Sequence, residues 1–228
     1  MCLLSFSNVG ATDYREVWGR EYRQAEVFIQ GHEVAFEHLT GLFGVDARQA
    51  MAVVFPELLR YSLLKDFFET EAVEWGYVNF GLGYGDFSIG QFQMKPSFIE
   101  DLEEIVCRDD RFQMFLPLFS YDAISEKEIR QERVVRLQQV GYQIKYLSCF
   151  ITLARAVYPA LASLTPVETI EFLAVMYNAG LGKSIDTYKA LARRPSFPYG
   201  AGYTGKQYCY AAIAKDYYLT ITKHNEGK

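Results

Sequence analysis

The stretch Val45-Asp46-Ala47-Arg48-Gln49-Ala50-Met51-Ala52-Val53-Val54-Phe55-Pro56-Glu57 predicts an apolar helix that carries an acid near its end. Asp46 is a suitable N-cap, because a short carboxylate can accept hydrogen bonds from the unpaired N–H groups of a first helical turn. Apolar residues then recur at helical spacing. Pro56 removes one backbone hydrogen bond and produces either a kink or a stop. We expect a kinked but continuous helix with Glu57 at the break.

The rest of the chain is also mainly helical in pattern, and two helix starts are marked by reciprocal capping pairs, Ser125 with Glu128 and Thr165 with Glu168. The glycine-rich segment 79–90 predicts a loop or a small hairpin lobe. Helices are predicted over about 14–38, 46–57 and 58–78, from Pro96 onward, over about 126–158, from Thr165 to Gly180, and over about 183–193 and 206–222.

The pattern divides the chain into a leader, an arm and a main domain. Residues 1–12 are short and apolar and end in small residues, like the latter half of a signal peptide, which predicts export to the periplasm or cell envelope. Residues 13–44 form a predicted N-terminal helical arm, and residues 45–228 form the main domain. No run of about 18 apolar residues occurs, so no transmembrane helix is predicted.

Composition limits the classes of ligand. The 228 residues carry a net charge of −5, which argues against nucleic acid as the main ligand and favours a neutral or amphoteric polymer. The chain has three histidines and four cysteines without CxxC spacing, so no zinc site is predicted. Pairing among Cys107, Cys149 and Cys209 stays open if the protein is exported.

The stretch from Val45 to Glu57 resembles the first motif of the lysozyme-like lytic transglycosylases, in which a Val-Asp opening leads through an apolar helix to a catalytic glutamate. Glu57 stands 11 residues after Asp46, as in typical members. Leu58 replaces the serine that usually follows, and proline before the acid is unusual. The resemblance implies an α+β lysozyme-like fold with Glu57 as catalytic acid, kept protonated by apolar neighbours that raise its pKa.

Two later stretches follow in the order of that family. Gly90-Gln91-Phe92-Gln93-Met94-Lys95-Pro96 resembles its GLMQ segment, and Leu173-Ala174-Val175-Met176-Tyr177-Asn178-Ala179-Gly180 resembles its AAYNAG segment. The resemblance implies that Gly90 and Gln93 line a cleft beside the acid. It also implies that Tyr177 orients the acid and that Asn178 fixes the cleft wall or the sugar amide. A helical insertion at about 109–163 is implied as well.

Other acids are alternatives to Glu57. Glu71 lies 22 residues before Gln93, a spacing like that of goose-type lysozyme, and Glu69 and Glu74 are its neighbours. If Glu57 instead lay in the first turn of a new helix, the helix dipole would favour its charged form.

The resemblance predicts cleavage of the bond between MurNAc and GlcNAc in peptidoglycan, by one glutamate and without metal or organic cofactor. Asp86 decides between reactions, because a second carboxylate beside the acid would allow hydrolysis, as in a muramidase. Otherwise Asp86 is a loop residue that bonds nearby backbone. A non-catalytic module that binds glycan on the same fold is the remaining alternative.

Overall fold

The computed structural model describes residues 12–64, 70–84, 86–199 and 203–226, and these are mainly helical, as the sequence predicts. The α-helices are α1 (Tyr14–Gly41), α2 (Ala47–Leu64), α3 (Thr70–Phe80), α4 (Pro96–Arg108), α5 (Glu126–Leu137), α6 (Val140–Val157), α7 (Pro166–Ala179), α8 (Ile185–Ala192) and α9 (Tyr210–Glu226). Short 3₁₀ helices cover Leu82–Tyr84, Asp110–Leu118 and Pro159–Ser163. Strands β1 (Pro195–Phe197) and β2 (Tyr208–Cys209) pair antiparallel.

Helix α2 is the centre of the fold. Residues 50–60 are all buried, because α1, α6, α7 and α9 surround the helix, and a helix that is covered all round needs little polar surface. Phe55 stacks on Tyr217 of α9 at 3.6 Å between ring centroids and meets Tyr22 of α1 edge-on at 4.9 Å. Pro56 lies inside the helix, so the prediction of a continuous helix through this proline is confirmed.

Local signals in the sequence placed several helix ends correctly. The Asp46 carboxylate accepts from the backbone N–H groups of Arg48 and Gln49, at 2.8 and 3.2 Å. Both predicted capping boxes, at Ser125 and Thr165, are present. Gly180 ends α7 with φ of 78°.

Two predicted long helices are wrong. The segment 58–78 is not one helix, since α2 ends at Leu64 and α3 begins at Thr70. The segment 126–158 breaks at Gln138 and Gln139, where Gln139 takes an extended conformation. The strand pair lies near the C-terminus and not in the glycine-rich segment, where Ile89 and Met94 form an isolated bridge.

The N-terminal helix α1 packs against α2 and α6 and buries one face, which includes Trp18, Tyr22 and Ile29. The predicted leader lies outside the described residues, apart from its last residue. Within the described ranges, no helix combines the length and the apolar character needed to cross a bilayer. Cys107, Cys149 and Cys209 are free thiols in this structure, so the pairing left open by the sequence is not formed.

Candidate active site

One cavity of about 260 Å³ collects most of the residues that the sequence singled out. It lies between α2, the turn before α4, the end of α7 and the segment after β1. Glu57, Asp86, Gln93, Tyr177 and Asn178 all line it. Gly90 is not among the described residues that line this cavity.

Glu57 is a buried carboxyl with two hydrogen-bond partners. Its side chain opens onto the cavity, yet the residue is only 2% exposed. Oε2 accepts from Arg60 Nη1 at 3.2 Å, and Oε1 lies 3.3 Å from the hydroxyl of Tyr199. Burial raises the pKa of Glu57, and Arg60, Tyr199 and Tyr210 pull it down less strongly. The carboxyl therefore holds a proton to higher pH than a glutamate in water.

The hydrogen-bond partners of Glu57 favour a proton on Oε1 over one on Oε2. A guanidinium can only donate, so Oε2 of Glu57 must accept from Arg60. When Glu57 is protonated, a proton on Oε1 can be donated to the Tyr199 hydroxyl, 3.3 Å away. The Tyr199 hydroxyl, which has a single proton, can then accept from Glu57 and donate to Asn178 Oδ1 at 3.0 Å. Protonated Glu57, Tyr199 and Asn178 thus form a chain in which each bond has one donor and one acceptor.

Arg60 joins three parts of the site. Besides Glu57, its Nη1 lies 3.3 Å from Gln93 Oε1, and its Nε donates to the Tyr199 carbonyl at 3.3 Å. Its guanidinium also lies over the Tyr199 ring, 4.2 Å from the centroid. Sequence reasoning missed both residues. Arg60 follows the acid by one helical turn, which is a usable signal, whereas nothing local points to Tyr199.

The turn that carries Gln93 is held from both ends. Backbone bonds between Ile89 and Met94, at 2.8 and 3.2 Å, close it. Gln93 has φ of 51°, a left-handed conformation that is uncommon for a residue with a side chain. Its Nε2 donates to the Gly90 carbonyl at 2.8 Å while Oε1 receives Arg60. Both ends of the Gln93 amide are therefore bonded within the protein, where they stabilise the turn and position Arg60.

Gly90 supports the site from behind, which corrects its expected place in the cleft. It has φ of 68°, and a Cβ built on it would lie 1.7 Å from Nε2 of Gln143. Gln143 is fully buried, accepts from the Phe92 N–H at 3.1 Å and donates to the Leu137 carbonyl. That carbonyl belongs to the last residue of α5, at the break between α5 and α6. The break between α5 and α6, which the sequence did not predict, thus provides the groups that hold the turn carrying Gln93.

The hydroxyl that bonds to Glu57 is that of Tyr199 and not that of Tyr177. The hydroxyl of Tyr177 donates to the Phe92 carbonyl at 2.8 Å, so its one proton is committed to the turn. Burial, with a smaller contribution from the nearby Glu57 charge, raises the pKa of Tyr177. Tyr210 is buried close enough to lower the pKa of Glu57, but its hydroxyl makes no well-formed hydrogen bond with the described residues.

Asp86 is a loop aspartate that anchors the start of α4. It accepts from Lys95 Nζ at 3.0 Å and from the Ser97 N–H at 3.3 Å. Asp101 also lines the cavity, and burial, with nearby carboxylates adding to it, raises its pKa. Sequence reasoning did not single out Asp101.

The alternative acids are placed differently. Glu74 contacts Gln138 at 3.2 Å and lines another cavity. Glu69 and the side chain of Glu71 lie outside what the structure describes.

No protein-family model, curated protein or solved structure matches this chain.

The buried Glu57 predicts a stability that depends on pH. Its folded-state pKa lies above its ordinary value of 4.5, so protonation favours the folded state. This stabilisation is complete below pH 4.5 and is lost as pH rises through the raised pKa. Denaturant unfolding at several pH values should show wild type losing free energy of unfolding relative to Glu57→Gln over that window. Parallel pH profiles for the two proteins would contradict it.

Proposed function

We propose that this protein is a peptidoglycan lytic transglycosylase with a lysozyme-like fold and that Glu57 is its single catalytic acid. One observation carries the proposal: a buried carboxyl, with its pKa raised by burial, opens onto a cavity lined by polar side chains. General acid catalysis at a glycosidic bond needs such a group. The order of the three sequence motifs supports the same reaction.

In the first step, Glu57 gives its Oε1 proton to the bridging oxygen between MurNAc and GlcNAc as the bond from that oxygen to C1 of MurNAc breaks. Positive charge develops at C1, and the new Glu57 carboxylate stabilises it. Tyr199 must release Oε1 for the proton to reach the sugar. Its remaining bond to Asn178 keeps the hydroxyl beside the acid.

In the second step, the 6-hydroxyl oxygen of the same MurNAc attacks C1 while Glu57 takes up the hydroxyl proton. The product is a 1,6-anhydro end, and the acid returns to its protonated form without consuming water. One carboxyl serves both steps, so the proposal requires no second acid.

Arg60 has a role in both protonation states. It donates to Oε2 whether Glu57 is protonated or charged, so it orients the carboxyl throughout the cycle. Its charge also opposes the effect of burial on the pKa of Glu57, which lets the acid release its proton.

Hydrolysis is the second candidate, because Asp101 and Asp86 line the same cavity as Glu57. A muramidase would use one of them to activate water. The ion pair of Asp86 with Lys95 and its bond to Ser97 favour an anchoring role for that residue. Mass spectrometry of sacculus digests separates the reactions. Anhydro ends support the transglycosylase, reducing ends support the muramidase, and intact sacculi would contradict both.

Replacing Arg60 by methionine tests the electrostatic part of the proposal. Loss of the guanidinium should raise the pKa of Glu57 further, because Arg60 is the largest influence that lowers it. Activity of a general acid falls as pH rises through that pKa, so the alkaline limb of kcat/KM should move to higher pH. Arg60→Lys retains the positive charge and should shift the limb less. A limb that stays in place or moves to lower pH would contradict this role for Arg60.

The proposed substrate lies in the bacterial cell envelope, so we also propose export to the periplasm or envelope. The signal-like pattern of residues 1–12 supports it. Detection of the tagged protein in a periplasmic fraction tests it.

A further inference from the structure

Three large aromatic side chains lie exposed together at the end of α3. Trp75 is 62%, Phe80 53% and Tyr84 68% exposed. The Trp75 and Phe80 rings are 5.5 Å apart and nearly perpendicular, and the Phe80 and Tyr84 rings are 4.4 Å apart and tilted by 33°. These three residues are called the aromatic patch below. Clustered rings left in water are a feature of binding surfaces.

The backbone that carries the aromatic patch is held by contacts with neighbouring residues. Tyr84 packs against α3 at Gly76, where a Cβ would lie at an ordinary contact distance of 3.5 Å from that of Tyr84. Arg130 of α5 donates to the Val78 carbonyl at 3.0 Å and fixes the same helix. The backbone that carries the rings is therefore held in place before a ligand arrives, which reduces the entropy cost of binding.

Polar groups stand beside the rings. A cavity of about 310 Å³ is lined by Glu74, Trp75, Asn79, Lys127 and Gln131, together with two valines. Carboxylate, amide and ammonium groups are suited to a ligand with many hydroxyls, while a ring is suited to the apolar face of a sugar. The presence of both charge signs favours an uncharged or amphoteric ligand over a polyanion.

The aromatic patch also adjoins the candidate active site. Tyr84 comes two residues before Asp86, so their Cα atoms are at most about 7.6 Å apart. Asp86 lines the cavity that contains Glu57. The aromatic patch and the cavity are therefore close enough for one polymer strand to contact both.

We propose that the aromatic patch and its neighbouring cavity form a second glycan-binding site. This site binds the substrate strand outside the cavity that contains Glu57. This inference rests on the proposed function, because it takes the substrate to be a peptidoglycan strand. Trp75 supplies the central ring, and Gln131 donates to or accepts from sugar hydroxyls. Asn79 accepts through Oδ1, because its Nδ2 already donates to the Trp75 carbonyl at 2.8 Å.

Binding to purified peptidoglycan sacculi tests this site, with Glu57→Gln as the parent so that nothing is cleaved. Adding Trp75→Ala should weaken co-sedimentation by about tenfold in apparent Kd, and Trp75→Phe should restore part of it because a ring remains. Met114→Ala removes an apolar side chain that is 51% exposed elsewhere and should bind like the parent. Circular dichroism checks that each variant is folded.

The outcomes separate this proposal from the proposed function. Weak binding by Trp75→Ala supports the site even if the wild-type protein releases no anhydro products, a result that would overturn only the transglycosylase. A Trp75→Ala variant that binds as well as the parent, or a parent that does not sediment with sacculi, overturns the site whatever the cleavage result. Unchanged sacculus binding combined with loss of binding to lipid vesicles would assign the rings to a membrane surface and likewise overturn it.

Discussion

Replacing Glu57 by glutamine is expected to lower the rate of glycan cleavage by about 10²–10⁴-fold, the usual contribution of a positioned general acid. Glutamine has nearly the same shape, and its carbonyl can still accept from Arg60 as Oε2 does now. It has no acidic proton to give to the bridging oxygen. Binding to sacculi should therefore persist while soluble products disappear, as measured by chromatography of digests.

Asp101→Asn is the matched control, because Asp101 lines the same cavity and also has a raised pKa. A transglycosylase with one acid should retain most of its activity in this variant. If Asp101→Asn is as inactive as Glu57→Gln, the reaction uses two carboxylates and the muramidase is favoured. If Glu57→Gln cleaves at the wild-type rate, the assigned acid is wrong.

Replacing Gly90 by alanine is expected to reduce the free energy of unfolding by about 2–4 kcal/mol, the range of substitutions that combine backbone strain with a buried clash. The new Cβ would lie 1.7 Å from Gln143 Nε2 and 2.8 Å from the Leu137 carbonyl. Gln143 would have to give up its hydrogen bonds to Leu137 and Phe92. The φ of 68° adds a conformational cost for any residue with a Cβ.

Gly31→Ala is the control for this change and should have the opposite sign. Gly31 lies within α1, and nothing stands within 4 Å of the added Cβ. Alanine is favoured over glycine inside a helix by up to about 1 kcal/mol. Urea unfolding of the two variants measures both effects. A Gly90→Ala protein as stable as wild type would show that the turn can shift away from Gln143.

The Glu57–Arg60 pair is unusual as a structural feature, because both residues are buried in the central helix. A guanidinium buried beside a carboxyl often contributes little net stability, since moving charged groups out of water is costly. Two apolar residues at these positions would stabilise α2 as a core helix at least as well. The position of the Glu57–Arg60 pair at the edge of a polar cavity fits a functional role better than a structural one.

The sequence alone determined the features that depend on neighbouring residues. Asp46 caps α2 because its carboxylate reaches N–H groups two and three residues ahead, and the pairs at Ser125 and Thr165 act over the same short range. Apolar spacing predicted that α2 would be a buried helix carrying Glu57. The motif order predicted that Glu57, Gln93, Tyr177 and Asn178 would share a cavity, and they do, whereas Gly90, predicted with them, does not line it.

Only the tertiary structure decided which groups touch Glu57. Tyr199 lies 142 residues from the acid along the chain, so no local pattern relates the two, and its hydroxyl takes the place expected for that of Tyr177. Gln143 meets the turn at Phe92 across 51 residues, through a helix break that periodicity does not reveal. Hydrogen bonds between side chains depend on distances of about 3 Å, and packing of whole helices sets those distances. The sequence therefore predicted a buried glutamate at position 57, and the packing of the helices determined which groups bond to it.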